Sequence, residues 1–258
     1  MRIQIDVALH YRFQRSNTVF LALQAGQTEG QRLVQETLDL GTADVTRITG
    51  DAGVGERIWA RVPGDEMRLS YRALLDITRR SQVLDQLQAD PLHLLPGEAV
   101  PYLRPSLYCQ SDKFVSFVEK RFGGLGGGAK ISAMRDWIEA ELAYVPGSSD
   151  ASTTVLETFA GRQGVCRDYA HLMCALARAA QIPARMVAVY SPDVTPPDFH
   201  AVAQVWLSGG WHLVDATGMC RADTMAVIAV GRDAYDVAFM ESQVPAEMLW
   251  QSVQVSRG

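Results

Sequence analysis

The segment GVCRDYAHLMC, at residues 164–174, brings together several residue types that could do chemistry. Cys166 and Cys174 lie eight positions apart, and Asp168 and His171 lie between them. Such a set is compatible with a metal site, half of a disulfide, a stretch of buried helix or a nucleophilic thiol. The rest of the chain distinguishes these alternatives.

Metal binding by the cysteines is disfavoured by their spacing. The chain has no C-x-x-C pair, and the gaps between successive cysteines are 57, 8 and 46 residues, unlike the close pairs of zinc sites. The four cysteines are Cys109, Cys166, Cys174 and Cys220. We therefore predict no metal and no cofactor.

The two cysteines of the segment differ in their predicted surroundings. Apolar residues recur at helical spacing from Tyr169 to Ala180, which predicts a helix that begins near Gly164. Cys166 would lie in its first turn, where unpaired backbone N–H groups favour the thiolate, the nucleophilic form. Cys174 would lie two turns further on among apolar residues, and we interpret it as part of the core.

Two polar residues of the segment are given structural roles. Asp168 is close enough to disfavour a thiolate at Cys166, but a carboxylate in the first helical turn also satisfies free N–H groups, and Arg167 partly offsets its charge. His171 follows Cys166 by five residues, which rotates it roughly 140° away. We therefore interpret His171 as a packing or hydrogen-bonding histidine.

His200 is the preferred candidate for a general base. It opens the strand pattern HAVAQVWL directly after the loop SPDVTPPDF, and strand ends beside long loops both expose and hold reacting groups. Asp215 closes the next strand, WHLVD, and its carboxylate could accept the Nδ1–H of His200.

The pairing of these two strands limits that contact. A hairpin turn at Gly209-Gly210 would place Asp215 opposite Gln204, on the same face as His200. About 13 Å of strand would then separate His200 from Gln204. A direct hydrogen bond requires a bulge, strong coiling of the strands or another register.

The elements that carry these residues fall into two parts. The N-terminal part begins with the strict alternation RIQIDVALHYRF and continues with short apolar runs separated by turn signals, which predicts an antiparallel β-sandwich. The C-terminal part has helical patterns followed by strand patterns, which predicts an α+β domain with helices packed on an antiparallel sheet. We assign residues 1–82 to the sandwich, 83–105 to a proline-containing linker and 106–258 to the catalytic domain.

Composition and charge exclude some classes of protein. The 258 residues are 48% hydrophobic and carry a formal charge of −5, which disfavours a nucleic-acid partner. No apolar run approaches the roughly 18 residues that a membrane span needs, and the start of the chain lacks the apolar segment of a secretory signal. We expect a cytoplasmic protein with reduced thiols; the oligomeric state is left open.

The order GVCRDYAHLMCALARAAQIPARMV, then FHAVAQVWLSGGWHLVDAT, resembles the transglutaminase-like superfamily, which is related to papain-type thiol proteases. The similarity is greatest to the bacterial branch, and the segment YVPG at 144–147 and GRDAYDV at 231–237 also fit its pattern. The resemblance implies a papain/transglutaminase-like core in which Cys166 is the nucleophile, His200 the general base and acid, and Asp215 the group that orients the histidine.

The resemblance implies cysteine-dependent acyl transfer on a peptide or protein amide, with hydrolysis as the expected outcome. Calcium-dependent crosslinking is disfavoured, because Arg167 stands where the animal enzymes have tryptophan and no acidic cluster suits calcium. The Cys166 N–H is expected to bind the oxyanion, with Gln163 or Tyr144 as a candidate side-chain donor. The alternatives are a non-catalytic peptide-binding module on the same fold and a calcium-independent transglutaminase.

Overall fold

The computed structural model describes residues 1–258 and has the predicted α+β class. None of its helices combines the length and apolar character needed to span a bilayer. The strands of the N-terminal half are β1 Arg2–Phe13, β2 Asn17–Leu21, β3 Gln31–Asp39, β4 Asp44–Thr49, β5 Glu56–Val62 and β6 Glu66–Ile77.

The linker and the helical region follow. The linker contains short 3₁₀ turns at Leu84–Gln86, Leu92–Leu94 and Val100–Leu103. The next elements are α1 Val115–Phe122, α2 Gly127–Glu141, β7 Ala143–Tyr144, α3 Val155–Gly161, β8 Gln163–Gly164 and α4 Cys166–Ala179. The last are β9 Ala184–Tyr190, β10 His200–Leu207, β11 Gly210–Val214, β12 Ala226–Gly231, α5 Ala234–Val237, β13 Met240–Ser242 and β14 Ala246–Arg257.

The N-terminal sandwich consists of two four-stranded sheets, in the orders β14-β1-β6-β3 and β13-β2-β5-β4. Alternate residues of β1, from Ile3 to Phe13, are buried between the sheets, as the period of two predicts. This alternation specifies which face of each strand enters the core, because a shift by one residue would expose the whole apolar set.

The end of the chain belongs to this sandwich and not to the domain in which the sequence placed it. Residues 246–257 form β14, which pairs along its length with β1, and β13 pairs with β2. The predicted catalytic domain of 106–258 therefore loses its last strands to the N-terminal unit. The physical reason is that β1 and β2 would otherwise be open edges, and pairing them satisfies their backbone groups.

The catalytic-domain sheet has the antiparallel order β11-β10-β9-β12. One face packs on α4, where Ala203 and Val205 of β10 join the same core as Leu172 and Leu176 of the helix. The other face carries a smaller apolar cluster that includes Val202. Helix α4, which begins at Cys166, thus lies against the two central strands of the sheet, β10 and β9.

A local sequence pattern encodes the start of helix α3. Thr154 and Glu157 form a capping box, in which the Thr154 N–H donates to the Glu157 carboxylate at 2.7 Å. The sequence TVLE at 154–157 is the standard pattern for such a start. The helix has only seven residues, too few for a clear apolar period.

The buried side chain of Gln31 connects the two parts of the molecule. Its Nε2 donates to the Gly26 carbonyl at 2.6 Å and to the Val227 carbonyl at 2.9 Å, and its Oε1 accepts from the Val227 N–H at 2.6 Å. Gln31 lies in the sandwich strand β3 and Val227 in β12 of the second sheet. A neutral side chain thus fixes one sheet against the other.

Replacement of Gln31 by Ala should loosen this connection. The Val227 N–H would be left buried without a partner, so we expect the free energy of unfolding to fall by about 2 kcal/mol. Urea denaturation measures the change. The matched control is Gln27→Ala, which removes the same side chain from an exposed position and should change stability little. Equal effects of the two substitutions would contradict this role of Gln31.

Candidate functional site

The start of α4 is held by Asp168. Its carboxylate accepts hydrogen bonds from the Val165 N–H at 2.8 Å and from Ser149 Oγ at 2.6 Å, and Asp168 is completely buried. Gly164 must be a glycine, because a Cβ there would lie 2.6 Å from Asp168 Cβ. The negative charge of Asp168 disfavours a thiolate at Cys166, but the same carboxylate orders the backbone that precedes Cys166.

Tyr144 is brought to Cys166 by a short parallel pairing. Residues of β7 and β8 pair as Ala143 with Gln163 and Tyr144 with Gly164, and the Val145 N–H donates to the Gly164 carbonyl at 3.0 Å. The Tyr144 hydroxyl consequently lies close enough to Cys166 for the charge of that residue to help raise the pKa of Tyr144. Gln163, the other residue considered as an oxyanion donor, is exposed.

His200 and Asp215 are in direct contact, although the predicted turn did not allow it. The His200 ring bonds to Asp215 Oδ2 at 2.9 Å through Nε2, not through the expected Nδ1. The imidazole also lies close enough to Cys166 for that thiol to help raise the pKa of His200. Of the three predicted site residues, the structure thus pairs His200 with Asp215 and has Cys166 near the imidazole.

The hairpin register explains how the two residues meet. The turn is Ser208-Gly209, and Leu207 pairs with Gly210, Gln204 with Leu213. Both turn residues have positive φ, 49° for Ser208 and 76° for Gly209, as the two-residue turns that match strand twist require. The predicted turn at Gly209-Gly210 was wrong by one residue, because Ser208 was not expected to adopt this conformation. The shift moves Asp215 two positions closer to His200.

The Asp215 carboxylate is fully occupied and therefore fixed. Oδ1 accepts from the Thr217 N–H at 2.9 Å and from Thr217 Oγ1 at 2.7 Å. Oδ2 accepts from the Cys220 N–H at 2.9 Å besides bonding to His200. Because both carboxylate oxygens are held in place, the His200 imidazole can form its hydrogen bond to Asp215 in only one orientation.

The charge state of the pair follows from its burial and contacts. Burial alone would lower the pKa of His200, but hydrogen bonds to Asp215 and Cys166, and their charges, outweigh it and raise that pKa to about 10. Burial would raise the pKa of Asp215, and the contacts with His200 and Thr217 lower it instead. The pair is therefore an imidazolium and a carboxylate at neutral pH.

The remaining cysteines and His171 have surroundings that suppress reactivity. Burial raises the pKa of Cys174 to about 11 and that of Cys220 to about 12, and it raises the pKa of Cys109 further. Burial lowers the pKa of His171 to about 3, and its Nε2 accepts the Ala234 N–H at 3.0 Å. His171 therefore has the hydrogen-bonding role that its position on the helix indicated.

Cys220 is a neighbour of the site that the sequence did not single out. His200, Asp215 and Cys220 each present one donor atom, all within 4.8 Å of one another. Imidazole, carboxylate and thiol are ligands that zinc accepts, but the histidine and aspartate atoms are here hydrogen-bonded to each other. A signal for Cys220 existed in the chain, since it follows Asp215 by only five residues.

Comparison with known proteins gives a consistent result. The family model described as the transglutaminase-like superfamily matches residues 118–216. A crystal structure of a candidate cysteine protease from Cytophaga hutchinsonii is 31% identical, covers 99% of this chain and 90% of that chain, and superposes with a TM-score of 0.92. An uncharacterised protein of Mycobacterium leprae is 28% identical over 145 residues, which are 53% of this chain and 52% of that protein. The match thus spans about half the length of this curated relative.

Replacement of Asp215 by Asn tests the charge of the buried pair through the pH dependence of stability. The folded-state pKa of His200, about 10, is above its ordinary value of 6.5. Its stabilising effect is therefore complete below its unfolded-state pKa and is lost as the pH rises through the folded-state value. Between about pH 6 and about pH 10.5, the free energy of unfolding of the wild-type protein should fall relative to that of Asp215→Asn.

Urea denaturation at several pH values measures this difference. Asp76→Asn is the control, because Asp76 pairs with Arg2 at the surface and arginine does not titrate in this range. Its offset from the wild type should stay constant across the window. Parallel pH profiles for the wild type and Asp215→Asn would contradict an imidazolium at His200.

Proposed function

The chain belongs to the transglutaminase-like superfamily, as its motifs predicted, and from this premise we propose that it hydrolyses peptide or protein amides through the Cys166 thiol. The observation that carries the proposal is the buried hydrogen bond between His200 and Asp215, with Cys166 near the imidazole. Nucleophile, base and orienting carboxylate in contact form the arrangement that thiol hydrolases use.

The reaction begins with a thiolate and an imidazolium. The Cys166 sulfur attacks the amide carbonyl, and a carbon–sulfur bond forms as the carbonyl electrons move to oxygen. When the tetrahedral intermediate collapses, His200 gives its proton to the departing amine and a thioester remains. His200 then takes a proton from water, which attacks the thioester and releases the acid and the thiolate.

The protonation of His200 supports this order of events. An imidazolium beside the thiol stabilises the thiolate before substrate arrives. Because Asp215 holds the ring by Nε2, the proton to be transferred is on the nitrogen that faces Cys166. The carboxylate keeps the ring oriented and balances its charge, and it need not accept a proton itself.

Two donors are proposed for the oxyanion. The Cys166 N–H lies at the start of α4, where the helix leaves it without an intrahelical acceptor. The Tyr144 hydroxyl lies near Cys166. Burial, followed by the charge of Cys166, raises the pKa of Tyr144, so that the phenol keeps its proton and can donate it to a developing negative charge.

Water is proposed as the acceptor of the acyl group, and a peptide or protein amide as the substrate. The 31% identity and near-complete coverage of the candidate cysteine protease favour peptide hydrolysis. A cytoplasmic location forms part of the proposal and is supported by four cysteines that are all free thiols. Transfer to an amine and simple peptide binding are outcomes that the experiments below distinguish.

Alkylation should be selective for Cys166. Cys166 is half-buried, whereas Cys109 and Cys174 are buried, and the raised pKa of Cys220, about 12, keeps that thiol protonated. One equivalent of iodoacetamide adduct is expected at neutral pH, located on Cys166 by peptide mass spectrometry. Cys166→Ala should take up none, and labelling of Cys220 at a comparable rate would contradict the assignment.

Loss of the thiol should also abolish turnover. We expect Cys166→Ala to lower kcat/KM for a peptide anilide by about 10³-fold or more, while Cys220→Ser remains active. Product analysis with and without added amine separates hydrolysis from transamidation. If the wild-type protein is alkylated at Cys166 and reacts with peptide vinyl sulfones yet turns over no amide, the proposal of an enzyme gives way to a binding module.

Tyr144→Phe tests the second oxyanion donor. Loss of one such donor lowers kcat by roughly 10²-fold, and the rate of alkylation by iodoacetamide, which forms no oxyanion, should change much less. Tyr169→Phe is the matched control, because its hydroxyl donates to the Leu142 carbonyl at 2.8 Å and not to the site. It should lower stability and leave kcat near the wild-type value; an equal loss of kcat in both variants would remove Tyr144 from the mechanism.

A further inference from the structure

A cavity lies behind the β11-β10-β9-β12 sheet, on the face that does not pack on α4. Its volume is about 1440 Å³, and its walls come from the sheet, from residues 78–85 and from sandwich turns at residues 27–30 and 53–54. It touches Asp215 and Cys220 but neither Cys166 nor His200. The cavity thus borders the Asp215 side of the buried pair, while neither Cys166 nor His200 lines it.

Arg185 is a buried cation in the wall of this cavity. It lies in β9 and is only 6% exposed, and no carboxylate comes within ion-pair distance of its guanidinium. Glu98 is the acid whose charge it feels, yet the two do not form an ion pair. Burial lowers the pKa of Arg185 to about 10, because a charged group removed from water without a counterion is costly.

The contacts of Arg185 leave one edge of its guanidinium for a ligand. Its Nε donates to Gln204 Oε1 at 2.8 Å. The guanidinium carbon lies 4.1 Å from the centre of the Trp211 ring and 5.8 Å from that of Tyr102. The flat face of the group is thus covered by aromatic rings, and its Nε side is occupied. The Tyr102 hydroxyl is a further hydrogen-bonding neighbour of the guanidinium, and no carboxylate or carbonyl oxygen of the protein engages its terminal Nη nitrogens.

We infer that this cavity binds an organic carboxylate, with the two Nη groups of Arg185 donating to its two oxygens. Arginine forms such paired hydrogen bonds with carboxylates, and they are stronger when charge-assisted. Trp211, Leu213 and Val230 line the same cavity and suit an apolar body attached to the carboxylate. The inference is independent of the proposed amide hydrolysis, because no residue of that reaction binds the ligand.

Binding can be measured on the intact protein with a pair of matched probes. N-acetyl-phenylalanine carries a carboxylate, and N-acetyl-phenylalanine amide has the same body without the charge. The acid should raise the melting temperature and change the tryptophan fluorescence in a saturable manner, and the amide should do neither. A tripeptide ending in phenylalanine with a free carboxylate shows, by its affinity relative to the small acid, whether a small molecule or a chain terminus is preferred.

Arg185→Gln should weaken binding of the acid by about tenfold or more, the expected loss for a charge-assisted pair. Arg80→Gln is the control, because Arg80 is an exposed arginine in the same cavity wall. The affinity of this variant for the acid should stay at the wild-type value. If Arg185→Gln does not fold, Arg185→Lys keeps the charge without the planar fork and should also bind more weakly. Equal binding of acid and amide, no binding of either, or unchanged affinity in a folded Arg185 variant would overturn the inference.

Discussion

The buried hydrogen bond between His200 and Asp215 constrains the rest of the catalytic domain. Two groups that carry opposite charges and are nearly inaccessible to water are tolerated only when their geometry and remaining hydrogen bonds are satisfied. Thr217 and the Cys220 N–H supply those bonds for the carboxylate. The loop after β11, the turn at Ser208-Gly209 and the start of β10 must all be correct for one 2.9 Å contact to form.

The same contact bears on where α4 begins. A histidine held by Nε2 offers its other nitrogen in a fixed direction, and the proposed mechanism requires Cys166, the first residue of α4, to lie within reach of that nitrogen. Asp168 orders the start of α4, and its carboxylate also places a negative charge near the Cys166 thiol. The Asp168 carboxylate accepts from Ser149 and the Val165 N–H, and Arg167 approaches it at 3.5 Å, so that these contacts partly neutralise its charge.

Local patterns predicted much of this fold, and contacts between distant segments account for what they missed. The alternation in β1 and the apolar period of α4 were sufficient to predict both elements and their buried faces. The register of β10 and β11 depended on whether Ser208 adopts positive φ, which residue type alone does not decide. The pairing of β14 with β1 joins the two ends of the chain, and no short-range pattern carries that information. The candidate residues at 166, 200 and 215 came from motif order, while Cys220 and Arg185 became visible only through their neighbours in space.

The pairing of β14 with β1 also fixes an order of events during synthesis. A ribosome releases β1 first and β14 last, so the sandwich has an unpaired edge until the final strand emerges. By then the segment from α1 to β12 is already outside the ribosome and can fold around its own core. The sandwich is thus completed only after β14 has been synthesised, and until then the edge of β1, with its unpaired backbone N–H and C=O groups, is open to pairing with other nascent chains.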